Sequence, residues 1–398
     1  MRRQTLLYSL AQGISLTSAV IAVSTSPIIG KSLAPAPEMS TLPYGIQYAA
    51  VIACSYLLSM SMKRFGRRPV FFLGAATLGL GGLLGALSIY WHSFGLNLVA
   101  HFFFGVTISA FAYFRFAATD GLNDKQKATA VSLVTLGGIA AAFIGPRIAQ
   151  NTRLLIEDYA FSASYLSFIV LAALVTLLLL CIKEDKRSSA QAPETAKQSA
   201  PQGKVFSLPL LVAIYASGFG YMLMALLMMQ SSLKMNALGI PFPEIMFVIQ
   251  CHVVAMFAPS LFMGKIIDRI GAQPVIMAGY LTMFVSMLIA IYVTSYSGIL
   301  AALIGIGLGW NMLYVGGSAL VATLPGDAHK LQGINESAVA LLNTIGAFSA
   351  GFLFQAIGWE NSNWLGMALL LPGLILLVAN RLSRLRAASQ PEAVNTAS

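Results

Sequence analysis

Twelve apolar runs, most of them close to twenty residues long and joined by short polar connectors, leave this chain few ways to fold. They cover roughly 6–30, 44–62, 69–90, 95–117, 128–150 and 160–182, then 207–230, 243–265, 273–295, 297–323, 333–357 and 361–381. A helix needs about 20 apolar residues to cross a bilayer, and in lipid the backbone must satisfy its own N–H and C=O groups. The runs lack the alternation that barrel strands require. The expected fold is all-α, with twelve transmembrane helices arranged as six plus six. Composition agrees: 57% of residues are hydrophobic and 10% charged, against about 25% charged in soluble domains. The first run follows Met1-Arg2-Arg3-Gln4 as a secretory signal would. At about 25 residues it exceeds a cleaved apolar segment, so it reads as the first span.

The net charge of +10 would suggest nucleic acid in a soluble protein. Here the charges sit in connectors, and they sort by side. With the N-terminus inside, Lys and Arg crowd the inner connectors, whereas the outer ones hold only Lys31, Arg153 and Lys234. The positive-inside rule then places both termini in the cytoplasm. The expected domains are a first bundle over 1–182, a polar linker over 183–206, a second bundle over 207–386 and a disordered tail over 387–398. Cys54, Cys181 and Cys251 lie inside apolar runs without metal-ligand spacing and read as small buried hydrophobes. Neither a metal nor a cofactor is expected.

The two halves echo each other. Lys63-Arg64-Phe65-Gly66-Arg67-Arg68-Pro69-Val70 and Asp268-Arg269-Ile270-Gly271-Ala272-Gln273-Pro274-Val275 each join two apolar runs. They share Arg, Gly, Pro and Val at constant offset, and Gly74 and Gly279 extend the match. A repeat of half the chain built from hydrophobic spans is the construction of secondary transporters. A second echo sets Asp124 before the fifth run and Asp327 before the eleventh, each able to cap the helix that follows.

These features resemble the major facilitator superfamily over essentially the whole chain. That family's loop motif reads Gly-x-x-x-Asp-Arg-x-Gly-Arg-Arg. Gly264 through Gly271 matches its first eight positions, and the first copy keeps Arg64, Gly66, Arg67 and Arg68 with Ser59 and Lys63 at the Gly and Asp positions. The resemblance implies a cytoplasmic latch, formed by Lys63, Arg64, Gly66, Arg67 and Arg68 against the eleventh helix and by Asp268, Arg269 and Gly271 against the fifth. Glu336, on the eleventh helix, is the only acid at depth in a span. It reads as a latch partner for Lys63 or Arg64, as a coupling carboxylate, or as an acid at headgroup level. Gly145-Pro146 in the fifth run resembles the family's antiporter motif, with Ala141 replacing its first Gly and Arg147 following the Pro.

The remaining candidates are polar groups inside spans, which usually face an interior or a water path. His101 stands where many family members carry a coupling Arg, and imidazole changes charge near neutrality. Arg115 follows on nearly the same stripe, close to Asp120. Gln250 and His252 lie deep in the eighth run, and Trp310, Asn311 and Tyr314 lie near the middle of the tenth. The resemblance implies a cavity lined by the first, fourth, seventh and tenth helices, which brings in Tyr215 and Tyr221. Aromatic rings with amides suit an organic solute. The methionines at 222, 224, 228 and 229 read as pliable packing.

The function expected is secondary transport of a small organic molecule by alternating access, as proton-coupled export, with import of a nutrient or chelating metabolite as the alternative. The lipid bilayer, the solute and protons are the expected partners, without nucleic acid. The resemblance implies a monomer in a bacterial inner membrane. A membrane-embedded enzyme would need a clustered site, and the histidines at 92, 101, 252 and 329 are scattered. No Gly-x-x-x-x-Gly-Lys loop supports direct ATP drive.

Overall fold

The computed structural model describes residues 3–119, 124–182, 207–325 and 327–388, with side chains placed except at 115–116, 119, 124–136, 328–329 and 384–388. The linker, Asp120 and the tail beyond residue 388 lie outside the described residues, as do the side chains of Arg115 and Asp124, while residues 387–388 continue α14. Helices α1 (Arg3–Leu33), α2 (Leu42–Phe65), α3 (Arg67–Tyr90), α4 (Phe94–Phe111), α5 (Phe114–Thr119), α6 (Asp124–Thr152) and α7 (Ser162–Cys181) build the first half. The second half holds α8 (Leu208–Ile214), α9 (Gly220–Ala237), α10 (Phe242–Phe257), α11 (Ser260–Ile270), α12 (Ala272–Tyr292), α13 (Tyr296–Ala322) and α14 (Ala328–Ala388). No strand occurs among the described residues. Ten helical stretches among them are long and apolar enough to cross a membrane, and one, Lys330–Ser383, is 54 residues long. Dividing that stretch at Gly358 and adding the 29-residue α6 gives twelve spans.

The repeat motif forms the same reversal twice. Gly66 has φ 87° and ψ 169°, Gly271 has φ 86° and ψ 164°, and each donates its N–H to the carbonyl four residues back. This φ is open to glycine and strained for other residues. Gly358, at φ 78° and ψ 178°, repeats the geometry where α14 doubles back. Beyond it, Trp359 Nε1 donates to Ala290 O at 2.8 Å, and Gly373 comes against the Tyr280 ring. The Asp327 cap is present: its Oδ1 accepts from Lys330 N at 3.1 Å.

Three runs depart from single helices. The fourth breaks at Ala112–Tyr113, so His101, Ile108 and Arg115 do not share one continuous stripe. Phe111 and Phe114 bracket the break with stacked rings 4.7 Å apart. The eighth breaks before α11 at Pro259, which supplies no N–H to the ladder. In the seventh, a π turn over Tyr215–Phe219 links α8 to α9. The cysteines also depart from expectation: Cys181 is exposed, and Cys54 and Cys251 are half-buried.

Among the described residues, the halves meet from the Lys- and Arg-poor end to mid-depth. On α2, Pro43, Tyr44, Gly45, Gln47 and Ala50 are buried near the Lys- and Arg-poor end, but only Leu58 and Met62 beyond residue 50. On α11, at the basic end, only Met263 is buried. The side-chain bridges that follow lie at the Lys- and Arg-poor end or near mid-depth. Lys31 Nζ donates to Asn236 Oδ1 at 3.2 Å, and Thr41 Oγ1 accepts from Gly351 N at 2.9 Å. The Arg153 guanidinium lies over the Phe161 and Phe242 rings at 5.3 and 4.8 Å. Deepest is Phe257 against Gly138, at mid-helix. The interface is shut at the Lys- and Arg-poor end, and the bridges named here do not reach the basic end.

Candidate functional site

Where the halves part, α9, α13 and α14 present a cluster of rings beside one carboxylate. Trp310 and Tyr314 are one helical turn apart on α13, so they share a face. Their rings stack at 5.4 Å with a 4° tilt. Tyr221, from α9, stands perpendicular to both, at 5.1 and 5.9 Å. Phe257 closes the edge at 6.4 Å from Trp310. Tyr314, Tyr221 and Glu336 are all half-buried, neither sealed in the core nor free in solvent.

Glu336 is held at the rim of this cluster. The Tyr314 hydroxyl donates to both carboxylate oxygens at 3.3 Å, and Gln332 Nε2, one turn back on α14, donates to Oε1 at 2.8 Å. Lys63 and Arg64 are exposed at the end of α2, and the Arg64 guanidinium covers Phe65 at 5.1 Å. Glu336 thus bonds to neighbours in its own half, while the loop that would latch it stands on the open side. Asp268, Arg269 and Gly271 are likewise exposed there, whereas Gly66, Arg67 and Arg68 are half-buried.

The first half contributes two tyrosines from α2. The Tyr44 hydroxyl donates to that of Tyr48 at 3.3 Å, with the rings 5.1 Å apart. Tyr48 in turn lies close to Tyr221 across the interface. Neither tyrosine was legible as a site residue. Their i, i+4 spacing shows only a shared face, and nothing in the sequence says that the face meets α9. Gln332 carried the same weak signal, four residues before Glu336.

Other polar candidates lie elsewhere. His101 is fully buried among α3, α4 and α7, its Nδ1–H donating to Asn97 O at 3.0 Å and its ring meeting Phe104 and Tyr165 edge-on. His252 is equally buried and donates from Nδ1 to Leu303 O at 2.7 Å, pinning α10 to α13. Asn311 donates to Met256 O at 2.7 Å and Ser260 Oγ at 2.6 Å, bridging the α10–α11 break. Tyr215 donates to Leu369 O at 2.7 Å and stacks on Phe219. Gln250 is half-buried on α10. Gly145 brings α6 onto α1, where a Cβ would meet Val20 at 2.8 Å, and Pro146 follows inside the helix. No group of three metal-ligating side chains occurs among the described residues.

A family model for the Major Facilitator Superfamily matches residues 8–235 and 223–396. The riboflavin transporter RfnT of Brucella anthropi is 32% identical over 382 residues, 94% of this chain and 96% of that protein. An uncharacterized MFS-type transporter of Bacillus subtilis, YddS, is 23% identical over 352 residues, 83% of this chain and 80% of its own. In fold, the inward-open xylose transporter XylE from E. coli matches with a TM-score of 0.69 at 13% identity, over 94% of each chain. A D-xylose–proton symporter matches at 0.71 and 15% identity, over 94% of this chain and 96% of that one.

Proposed function

The chain belongs to the Major Facilitator Superfamily, a family of secondary transporters, and from that premise we propose that it carries a flat, polar aromatic heterocycle of the riboflavin type across the membrane with a proton. The observation that carries this reading is the ring cluster. Trp310 and Tyr314 stack as two parallel rings, and Tyr221 and Phe257 turn edges to Trp310, beside the Glu336 carboxylate. An extended heterocycle gains about 0.5–1.5 kcal/mol from each well-placed aromatic contact beyond its area burial. Such a site needs few polar groups to fix orientation. The name of the Brucella anthropi relative supports the solute class.

Uptake by symport fits this site best. In antiport of a cation, the solute and the proton compete for one carboxylate. A neutral heterocycle held by ring stacking does not displace the proton from Glu336, so both can travel in the same step and the proton gradient drives entry. The Gly145-Pro146 packing motif favours proton-coupled export as the second reading. The basic end faces the cytoplasm by the positive-inside rule, which makes this conformation open to the inside. We assign the chain to the bacterial cytoplasmic membrane as a monomer, with domains over 1–182 and 207–386. The loops carrying Lys63, Arg64, Arg67, Arg68, Asp268 and Arg269 form the gate that closes the basic end in the opposite conformation.

Growth of a riboflavin auxotroph tests both solute and direction. Expression of the chain should let it grow at a riboflavin concentration that does not support the empty strain. Loss of cellular flavin to the medium on expression would turn the reading to export. Unchanged growth and unchanged flavin distribution would reject riboflavin as the cargo.

A further inference from the structure

On the side toward the shut end, the ring cluster passes into a group of phenol hydroxyls. Counted from the basic end of each helix at 1.5 Å per residue, Tyr314 lies roughly 12 Å in, Trp310 roughly 18 Å, Tyr221 roughly 20 Å and Tyr48 roughly 26 Å. Tyr44 follows one turn beyond Tyr48 on α2. The two share a face, and the Tyr44 hydroxyl donates to that of Tyr48 at 3.3 Å. Tyr48 lies close to Tyr221 of the other half. Gln47, its neighbour in the chain, turns away into the first half, beside Ser18 and Thr107.

These hydroxyls differ in what they have left to offer. Tyr44 is 5% exposed, and its proton is committed to the Tyr48 oxygen. That bond fills an acceptor position on Tyr48 and leaves the Tyr48 proton to be donated elsewhere. Tyr48 and Tyr221 are both half-buried, so neither is sealed in the core. Roughly 8 Å of depth separates Trp310 from Tyr48. Stacked rings suit a heterocycle, whereas paired phenol hydroxyls suit a chain of alcohols, since each alcohol likewise donates one proton and accepts others. The ring cluster of Trp310, Tyr314, Tyr221 and Phe257 belongs wholly to the second half. A solute held by those rings alone therefore touches only one half of the protein.

We propose that Tyr48 and Tyr221 are specificity-determining residues that hold a polyhydroxyl chain carried by the heterocycle, with Tyr44 as the residue that positions Tyr48. The inference rests on the cargo reading above and extends it from the ring system to its substituent. The solute lies with its rings against Trp310 and Tyr314 and its chain toward the shut end. Tyr48 donates to one chain oxygen, and the Tyr221 hydroxyl meets a neighbouring one. Because Tyr48 stands on α2 and Tyr221 on α9, a single chain ties the two halves together while the Lys- and Arg-poor end is closed. A heterocycle without that chain keeps the stacking contacts and loses the hold on the first half.

The test uses the purified full chain in lipid nanodiscs and reads binding as quenching of flavin fluorescence by the stacked rings. Riboflavin is compared with lumiflavin, which has the same heterocycle and a methyl group in place of the chain. One hydrogen bond contributes about fivefold in affinity, so with two the wild type should bind riboflavin about tenfold or more tighter than lumiflavin. Tyr48→Phe and Tyr221→Phe keep the rings and remove the hydroxyls, and each should lower that preference about fivefold. A merely structural role would weaken both flavins alike and leave the preference as in wild type. Equal affinity of the wild type for the two flavins, or a full preference in both variants, would overturn the proposal. Should Tyr48→Phe not fold, Tyr221→Phe carries the comparison. Quenching of neither flavin by the wild type would instead end the cargo reading, and this inference with it.

Discussion

The Arg153 guanidinium lies 4.8 Å from the centre of the Phe242 ring, and this pair fastens the loop after α6 to the start of α10 at the shut end. Phe161, at φ 71°, covers Arg153 from its own half, and the two phenyl rings meet edge-on at 5.2 Å. One cation is thus shared between rings of both halves.

Removing that cation should loosen the shut end. A desolvated cation–π contact is worth about 2 kcal/mol, so Arg153→Ala should shift the balance toward the opposite conformation by up to about thirtyfold. Spin labels at the exposed Leu154 and Leu238 would report it as a longer distance population. An unchanged distance distribution would show that the clamp is not what holds the halves together.

Gly351 tests close approach rather than charge. A Cβ there would come 2.5 Å from Glu38 O and 3.0 Å from Thr41 Oγ1, whereas a Cβ at Gly333 meets nothing. Gly351→Ala should slow transport and leave the shut end sprung, with Gly333→Ala as the silent control. Equal rates in the two variants would remove Gly351 from the gate.

Trp310→Ala removes one stacking face while Tyr314 remains. At about 1 kcal/mol per aromatic contact, the KM for the flavin should rise about fivefold or more, and the melting temperature should fall as well because Trp310 is buried. Trp310→Phe should fall between the two. An unaltered KM in Trp310→Ala would place the solute elsewhere.

His252 separates structure from coupling. Its bond to Leu303 O is buried, and such a bond contributes about 1 kcal/mol net, with more lost when the partner carbonyl is left unpaired. His252→Ala should lower the melting temperature while leaving the pH dependence of riboflavin exchange as in wild type. A changed pH profile at unchanged stability would make His252 a coupling group.

The spans were legible because hydrophobic length and backbone satisfaction are properties of the chain itself. So was the reversal at Gly66 and Gly271, since only glycine tolerates that φ. The breaks at Ala112–Tyr113 and Pro259 were less so, as local sequence bends a helix only when neighbours accept the bend. Trp310 and Tyr314 were legible as a pair, since they lie on one helix, and the family resemblance set Tyr221 on a helix beside them. That Phe257 closes the edge was not legible.

By itself the sequence determined the class of molecule: twelve apolar helices, a duplicated half, the charge asymmetry that orients it and the one acid inside a span. Tertiary structure decided what that acid touches. Helix periodicity fixes which residues share a face, but not which foreign face is opposite, because that depends on how two bundles rotate against each other. Glu336 therefore read as a latch partner, as a coupling group or as an acid at headgroup level. The packing of α9, α13 and α14 set Tyr314 and Gln332 on its oxygens, and the shut end brought Tyr48 of the other half to Tyr221.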